Sequence, residues 1–467
     1  LSLGIGLFQG PNLGEIYNGE EEVTSFVPRP YWSIKVLAEV NEEEVELEGQ
    51  PLKRLEEVER AKALKGKVGR VAEFVKEAEE VRPPYPFNLS ELQKEAYRIY
   101  KIQPWESLEV LEKLYLKALI SYPRTSSQKL PPTINYGSIL RRLSQAYRET
   151  FGVSRERPVE GPMDDPAHPA IYPTGELQPL SGVEQKLYDL VARRFISAFY
   201  RNARLLKKSM KVSAEGFILE ASGSSLIDRG WLEAYPFREF KEKRIPDAKP
   251  GDPVFIRDVK LSLSYTKPPQ RYTASSLLEW MESNEIGTKA TRAEIIKTLY
   301  KRGYVKGERM QLTDLGFGVA RYFISSKIVT LEMTRKLEKD LESIEFGKAS
   351  PNEVILESVS YLLKELSERA DVKETLELAS KHISLGTGIS FGRCPVCGKG
   401  ELMLHVSKSG KRYLKCSECG AFAPLPRKGK LEPAKKACKL CGWPMVKRGD
   451  WVFCPNPQCP SSKIRSA

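Results

Sequence analysis

The stretch Leu119-Ile-Ser-Tyr-Pro-Arg-Thr-Ser-Ser-Gln-Lys-Leu-Pro131 carries most of what the sequence says about this chain. Apolar residues at helical spacing predict a helix over Ser107–Ile120 that is stopped by Pro123. Because a residue before proline is pushed out of the helical region, we expect Tyr122 to be extended. In an extended segment, Arg124 lies on the same side as Tyr122. A phenol beside a guanidinium is suited to attack on a phosphodiester, with the cation stabilising the charge that develops on phosphate.

This pattern alone leaves two interpretations of Tyr122 open. A tyrosine oxygen is a poor nucleophile at its ordinary pKa of about 10, so attack requires activation or close positioning. The chain contains 20 Tyr, and most tyrosines in proteins serve the fold. Tyr122 is therefore either a nucleophile or a structural side chain on this stretch alone.

The distribution of charge divides the chain into a body and a tail. The net charge of the 467 residues is +13, and residues 391–467 contribute 16 Lys/Arg against 4 Asp/Glu. The remaining 390 residues are nearly neutral, and all eight cysteines lie between Cys394 and Cys459. A basic tail of this kind favours a polyanionic partner, with nucleic acid as the first candidate and a merely solvated tail as the alternative.

The cysteine spacing predicts two zinc sites. Each CxxC pair forms a tight knuckle that directs two thiolates at one ion, and two knuckles close a tetrahedral site. Strands over 402–406 and 411–415 around Ser409-Gly410 predict a zinc ribbon. Disulfides are the alternative, but no secretory signal supports an oxidising compartment. The predicted ligands of the two ions are Cys394, Cys397, Cys416 and Cys419, then Cys438, Cys441, Cys454 and Cys459.

Aromatic residues lie among the basic residues of the tail. An exposed aromatic side chain beside cations can stack on an unpaired base, whereas a buried one belongs to the core of a small ribbon. The sequence leaves both roles open for Tyr413, Trp443, Trp451 and Phe453.

The body predicts several domains of mixed α and β structure. A length of 467 residues corresponds to about three domains. The longest uncharged stretch, Leu1–Gly14, is too short to span a bilayer, which excludes an integral membrane protein. We expect a strand over Ser33–Val40, a helix capped by Asn88 or Ser90, and further helices over 138–149 and 181–204. The pattern over Thr273–Phe323 predicts helix, turn, helix, short strand and helix, and helical patterns continue to about Ser380. Residues 208–265 predict alternating short strands with turns at Gly216, Gly223, Gly230 and Gly251.

The stretch around Tyr122 closely resembles the active-site segment of the type IA DNA topoisomerases, especially the archaeal DNA topoisomerase I branch. Five other segments resemble motifs of that family in the same order, and the resemblance covers about residues 3–390. These segments are Phe26–Trp32 (FVPRPYW), Pro86–Gln93 (PFNLSELQ), Asp165–Thr174 (DPAHPAIYPT), Arg271–Leu277 (RYTASSL) and Ile286–Ile296 (IGTKATRAEII).

The resemblance implies a multidomain α+β fold, a type IA topoisomerase-like toroidal clamp followed by two C-terminal zinc ribbons. Winged-helix-like helical domains and a β arch would build the clamp. Residues 1–13 would end an upstream DNA-binding segment, and 14–85 and 205–267 would form the β arch. Residues 86–204 would be the helical domain that bears the tyrosine, 268–390 a winged-helix-like DNA-binding domain, and 391–467 the zinc modules.

The resemblance also implies roles for particular residues. Tyr122 would be the attacking tyrosine, with Arg124 and His168 beside the scissile phosphate. Independently of the family, Thr291-Arg-Ala-Glu294 predicts a capping box, which would place nearby groups at a helix N-terminus where a phosphate binds. The predicted DNA-binding residues are Gln9, Gln93, Thr288, Lys289, Thr291 and Arg292.

The implied activity is transient cleavage of one DNA strand through a 5′-phosphotyrosine, strand passage and religation, which relaxes negative supercoils without ATP. The family holds its catalytic Mg²⁺ on the carboxylates of an N-terminal Toprim domain. The chain would be the C-terminal two-thirds of such an enzyme, since Leu1 falls beyond that domain and Leu7 stands where the family has an arginine.

We expect a cytoplasmic, nucleoid-associated monomer whose partner is single-stranded or negatively supercoiled DNA, with no membrane contact. The alternatives are the topoisomerase half of a reverse gyrase and, for the isolated chain, a non-catalytic fragment that binds single strands. The sequence contains no Gly-Lys-Ser/Thr phosphate-binding motif.

Overall fold

The structure is a computed structural model that describes residues 6, 8–324, 326, 330–368, 390–406, 412–426 and 429–459. The chain divides into two compact units. The first comprises residues 1–301, 307–311 and 334–338, and the second comprises residues 302–306, 312–333 and 339–467. Leu7, the predicted turn at Ser409-Gly410 and the predicted helix beyond residue 368 lie outside the described residues.

A closed antiparallel barrel forms one core of the first unit. Its strands are β1 (Pro30–Val40), β2 (Glu43–Gly49), β3 (Val68–Val81), β4 (Ala203–Ala214), β5 (Phe217–Asp228) and β6 (Pro253–Tyr265). They are ordered β1-β2-β5-β4-β3-β6 around the barrel. Side chains alternate across each strand, so every second residue of β1 from Ile34 to Val40 points inward and is at most 2% exposed. Two β-rich ranges far apart in sequence thus share one core.

The predicted turn glycines of this region have different roles. Gly216 and Gly251 lie in turns with φ of 81° and 95°, a backbone conformation that favours glycine. The prediction was wrong for Gly223, which lies inside β5 opposite Lys208. A Cβ there would be 2.2 Å from the carbonyl oxygen of Lys243, so the close approach of another segment requires glycine. Gly230 begins a short 3₁₀-helix, Gly230–Glu233.

Several helices of the first unit form its second core. The helices up to the barrel's fourth strand are α1 (Gln9–Ser25), α2 (Leu55–Lys62), α3 (Leu89–Tyr100), α4 (Pro104–Leu116), α5 (Tyr136–Leu143) and α6 (Gly182–Ser197), with a 3₁₀-helix at Arg148–Gly152. Leu92, Leu111 and Leu190, from α3, α4 and α6, are fully buried in this core. Asn88 caps α3 as predicted, because its Oδ1 accepts the N–H of Glu91 at 2.8 Å.

The predicted order of helix, turn, helix, short strand and helix over Thr273–Phe323 is confirmed. The elements are α7 (Ala274–Ser283), α8 (Arg292–Lys301), β7 (Val305–Lys306), β8 (Gln311–Leu312) and α9 (Asp314–Phe323). Two further helices follow, α10 (Leu331–Glu345) and α11 (Pro351–Glu368). No helix of the described residues is both long and apolar enough to cross a membrane.

The cysteine-rich tail forms two small antiparallel sheets. One contains β9 (Ser390–Arg393), β10 (Glu401–Val406), β11 (Arg412–Cys416) and β12 (Phe422–Leu425), and the other β13 (Glu432–Ala437), β14 (Pro444–Arg448) and β15 (Trp451–Phe453). Both sheets contribute to one apolar core, which includes Leu402 and Leu414 from the first and Val446 from the second. The two modules therefore support each other.

The aromatic residues of the tail divide between core and surface. Trp443 and Phe453 are 6% and 7% exposed and belong to the shared core, so they are not available to stack on a base. Trp451 is 44% exposed, and Tyr413 is half-buried.

Candidate active site

The segment that bears Tyr122 begins where α4 ends. The prediction that this helix continues to Ile120 was wrong, because Ala118 adopts a left-handed conformation with φ of 57°. The N–H of Ala118 bonds to the carbonyl of Tyr115 at 2.8 Å, and that of Leu119 to Leu114 at 3.0 Å. These two bonds form a Schellman motif, which ends a helix in this way. The helix therefore ends by its own capping, well before Pro123.

After the helix, the Tyr122 segment runs beside the segment that contains His168. Ser121 donates its backbone N–H to the carbonyl of Tyr172 at 2.9 Å, and its hydroxyl accepts the N–H of Tyr172 at 3.0 Å. The hydroxyl of Thr125 donates to the backbone carbonyl of His168 at 3.0 Å. Two motifs about 45 residues apart in sequence are thus held together by backbone and hydroxyl hydrogen bonds.

The Tyr122 ring lies between two other rings. Its centroid is 4.6 Å from that of His168, with 52° between the planes, and 5.4 Å from that of Tyr115, with 72° between the planes. The side chain is half-buried, and its hydroxyl makes no hydrogen bond within the described part of the chain. By contrast, the hydroxyl of Tyr136 donates to the carbonyls of Leu130 and Pro131. The Tyr122 ring is therefore positioned by packing while its oxygen stays unbonded.

Arg124 has a carboxylate partner that the sequence did not suggest. Its Nε donates to Oε1 of Glu112 on α4 at 2.7 Å, and both side chains are about one-third exposed. The partners are 12 residues apart across the reversal that follows α4, so no local spacing rule predicts the pair. Glu112 holds the guanidinium next to the Tyr122 segment.

Asp165 connects three segments of the site. Its side chain is only 7% exposed and forms an ion pair with Lys289. Its Oδ1 accepts the N–H of Ala167 at 3.0 Å, and its Oδ2 accepts the N–H of Ser126 at 3.3 Å. Burial opposes ionisation, but the bonds from Lys289, Ala167 and Ser126 outweigh it and hold the pKa of Asp165 below its ordinary value. The carboxylate therefore remains charged and fixes Lys289 beside the Tyr122 and His168 segments.

The structure corrects the prediction for Gln93. The side chain is 1% exposed, and its amide donates to the carbonyl of Pro104 at 2.9 Å. It joins α3 to the start of α4 and has no surface to offer DNA. Gln9 is half-buried at the start of α1, where its Oε1 accepts the N–H of Gly6 at 2.7 Å.

The predicted capping box at Thr291 does not form among the described contacts. The hydroxyl of Thr291 accepts the N–H of Thr288 at 2.9 Å, which turns it away from the N–H of Glu294. Glu294 instead lies 3.6 Å from the ammonium of Lys297. Arg292 is 15% exposed and donates to the carbonyl of Ile286 at 3.0 Å, and burial lowers its pKa. Among the described residues of this group, Lys289 alone has a side-chain bond to the Tyr122 region, which is its pair with Asp165.

A cavity of about 550 Å³ opens beside His168. It is bounded by residues 127–132, by 157–160 and by 164–169, together with Tyr136. Because His168 both lines this cavity and contacts the Tyr122 ring, the cavity lies next to the candidate nucleophile.

The eight cysteines form two groups suited to a metal ion. Within each group the four Sγ atoms lie within 4.8 Å of one another, and all eight thiols are free of disulfides. In a tetrahedral zinc site with Zn–S bonds of about 2.3 Å, the sulfur atoms lie about 3.8 Å apart. The Sγ separations are close to this distance, at 3.7 Å in the first group and at 3.4 and 3.7 Å in the second. Backbone N–H groups of Gly400 and Lys399 lower the pKa of Cys397 to about 6, which favours the thiolate. Both sets fit structural zinc, and this agrees with the spacing prediction.

Comparison with known proteins places these features in a family. Residues 2–356 match the family model described as DNA topoisomerase. The chain is 36% identical to DNA topoisomerase 1 of Methanocaldococcus jannaschii over 99% of this chain and 63% of that protein. It is also 36% identical to DNA topoisomerase 1 of Pyrococcus horikoshii over 93% of this chain and 67% of that protein.

The chain belongs to the type IA DNA topoisomerases. Its similarity to archaeal DNA topoisomerase 1 proteins confirms the resemblance drawn from the motifs. It spans about two-thirds of the length of these curated relatives. The fold is similar to that of full-length topoisomerase I from Thermotoga maritima, with a TM-score of 0.66 and 24% identity over 93% of this chain and 73% of that one.

Proposed function

We propose that this chain supplies the nucleophile of a DNA topoisomerase that cuts one strand transiently. The oxygen of Tyr122 attacks a DNA phosphodiester and forms a 5′-phosphotyrosine, while the O3′–P bond breaks and the 3′-oxygen leaves with a proton. A second strand passes through the gap, and the 3′-oxygen then attacks the phosphotyrosine and restores the original bond. Because one phosphoester replaces another at each step, relaxation of negative supercoils requires no ATP.

The observation that carries this proposal is the environment of Tyr122. Packing against Tyr115 and His168 orients the ring, yet the hydroxyl makes no hydrogen bond within the described residues. A structural tyrosine of the same domain, Tyr136, uses its hydroxyl to bind backbone carbonyls. An oriented ring with an unbonded oxygen is the arrangement that attack on an incoming phosphate requires.

Two neighbouring side chains would assist. His168 lies against the Tyr122 ring and faces the adjoining cavity, so it can donate a hydrogen bond to a phosphate oxygen placed there. Arg124 is held by Glu112 and is one-third exposed, so it can stabilise the charge that develops on the same phosphate. Both groups come from the segments that the backbone pairs together.

The described carboxylates of this region do not form a magnesium site. Asp164 pairs with Lys129, Asp165 with Lys289 and Glu176 with Arg142, so each carboxylate is held by a different cation. Among the described residues, only the two cysteine groups bring together enough ligand atoms for a metal ion. The set Asp164, Asp165 and Glu176 is therefore not a metal centre, and the residues described here do not fit the Mg²⁺ that the family resemblance implies.

The substrate that best fits this chain is single-stranded or negatively supercoiled DNA. The excess of 12 positive charges over residues 391–467 supports binding to a phosphate backbone, and the two zinc modules give that charge a folded scaffold. The relatives named above are DNA topoisomerase 1 proteins, which favours this function over half of a reverse gyrase.

A trapping experiment tests the nucleophile. A labelled single-stranded oligonucleotide is incubated with the chain, supplemented with the N-terminal third of an archaeal relative, and covalent adducts are separated in denaturing gels. Tyr122→Phe should abolish the adduct while leaving DNA binding nearly unchanged, because the phenyl ring keeps its packing and only the oxygen is lost. Arg124→Ala should slow adduct formation by 10²-fold or more.

Tyr115→Phe is the matched control for this experiment. Tyr115 contacts the Tyr122 ring and is 42% exposed, so it is a second accessible phenol at the site. We expect Tyr115→Phe to keep the adduct. An adduct that survives Tyr122→Phe and disappears in Tyr115→Phe would refute the assignment.

A further inference from the structure

The cavity beside His168 extends beyond the place where the reacting phosphate would lie, and this larger part is not needed for the attack itself. Its volume of about 550 Å³ lies within the range of about 300–1,000 Å³ that small-ligand sites occupy. It belongs wholly to the first unit and is bounded by the chain that follows Tyr122 and by the chain around His168. Whatever it binds therefore stays with the same segments as the candidate nucleophile.

The walls of the cavity are rich in proline. Five prolines line it, and the fixed φ of proline limits the motion of these loops. They are Pro131, Pro132, Pro158, Pro166 and Pro169. The ring of Tyr136 completes the wall, and its hydroxyl is anchored to the carbonyls of Leu130 at 2.5 Å and Pro131 at 2.8 Å. An aromatic ring fixed in this way offers a surface on which a base can stack.

Most charges at the cavity are already engaged. Lys129 pairs with Asp164 at 2.9 Å, Asp165 pairs with Lys289, and Glu160 accepts the N–H of Leu130 at 2.7 Å. Arg157 is different: its exposed guanidinium has no hydrogen bond and no ion pair with any described residue. A free guanidinium at the edge of a proline and tyrosine wall can bind a phosphate through two parallel hydrogen bonds.

From this geometry we infer that the cavity binds one nucleotide of the DNA strand that stays attached to Tyr122 after cleavage. The base lies against Tyr136 and the proline wall, and a phosphate lies on Arg157. This inference rests on the proposed function, because the attached strand exists only if Tyr122 is the nucleophile. The site would hold the cut 5′ end on the tyrosine-bearing segments during strand passage.

Photo-cross-linking tests this site. The probe is a 5′-phosphorylated thymidine trinucleotide with 4-thiothymidine at one position, irradiated with the full chain, and the cross-linked peptides are identified by mass spectrometry. We expect adducts within residues 129–136 or 157–169. Arg157→Ala should lower their yield at least fivefold and reduce the slope of log affinity against log salt by about 0.7, the value for one phosphate contact with a single strand. Arg157→Lys, which keeps the charge, should recover part of the yield.

Arg148→Ala is the matched control. Arg148 is exposed, has no described partner and does not line the cavity, so the variant removes the same charge from the same part of the chain. Cross-links that map elsewhere, or equal yields in the Arg157→Ala and Arg148→Ala variants, would overturn the inference. Since neither arginine has a described partner, loss of folding does not complicate the comparison.

The adduct assay separates this inference from the proposed function. If Tyr122 forms the covalent adduct but no cross-link maps to the cavity, the nucleotide site is wrong and the proposed function stands. If cross-links map to the cavity but no Tyr122 adduct forms, the proposed function is wrong, and the assignment to the attached strand is wrong with it.

Discussion

Replacement of Asp165 by asparagine should open the contact between the Lys289 loop and the Tyr122 segment. The substitution keeps the shape of the side chain and removes its charge. Hydrogen bonds to a charged group contribute about 1.5–3 kcal/mol each, and breaking a buried ion pair costs about 3–5 kcal/mol. Because the Lys289 side chain is 34% exposed, water can solvate the ammonium that loses its partner. With this discount, we expect a loss of about 2 kcal/mol.

This loss is measurable by hydrogen exchange. At 1.4 kcal/mol per factor of ten, 2 kcal/mol corresponds to about 30-fold faster exchange through local opening. The affected peptides should be those that cover Ser121–Lys129 and Gly287–Arg292. Lys289→Gln should accelerate the same peptides, and combining it with Asp165→Asn should add little, because the two residues form one interaction.

The neighbouring Asp164 provides the control. Its side chain is 61% exposed and pairs with Lys129 at the surface, so Asp164→Asn should leave exchange in both peptides nearly unchanged. Equal effects of Asp164→Asn and Asp165→Asn would refute the reasoning.

The sign of the pH dependence follows from the lowered pKa of Asp165. A carboxylate with a depressed folded-state pKa contributes its full stabilisation above the unfolded value of about 3.9, and the contribution falls as the pH drops below that value. The difference between wild type and Asp165→Asn should therefore be constant from pH 5 to 8 and shrink only in acid. A difference that varies between pH 6 and 8 would point to another group.

Three further predictions concern the tail and the barrel. Metal analysis of protein purified without chelator should give two zinc ions per chain. Cys438→Ser should weaken zinc binding at the Cys394 site as well as at its own, because both modules share one core. Full zinc occupancy of the Cys394 site in that variant would contradict this prediction. Replacing four exposed lysines of residues 391–467 by glutamine should weaken single-strand binding and flatten its salt dependence, and an unchanged slope would show that the tail does not contact DNA. Gly223→Ala should destabilise the barrel, since its Cβ would lie 2.2 Å from a carbonyl oxygen, whereas Gly66→Ala, with open space but φ of 78°, should lower the melting temperature less.

Features set by short-range rules were predictable from the sequence. The cap at Asn88 follows from a polar side chain three residues before an available N–H. Cysteine spacing gave the grouping of the eight thiolates, and the succession of elements over Thr273–Phe323 followed from hydrophobic periodicity. The motif around Tyr122 indicated the family because it and five other segments resemble motifs of that family in the same order.

Predictions from neighbouring residues failed at two places where alternative backbone conformations compete. The helix before Tyr122 ends in a Schellman motif at Ala118, although alanine favours helix and the nearest proline lies farther on. The hydroxyl of Thr291 turns back to Thr288, although the spacing to Glu294 suits a capping box. In both cases packing of the surrounding chain selects between conformations that differ by about 1 kcal/mol.

The sequence by itself determined the positions of several helices and strands, the grouping of the cysteines and the basic tail, because each of these depends on residues a few positions apart or on composition. Tyr122 became the candidate nucleophile only through the resemblance of six segments to one family. Tertiary structure alone decided the partners of the site. Asp165 meets Lys289 across 124 residues, Arg124 meets Glu112 across a chain reversal, and Gln93 is removed from the surface by the start of α4. Such pairs depend on how whole segments pack against each other. The packing energy is shared among many side chains, and the distance in sequence between two partners follows no helix or strand periodicity from which the pair could be predicted.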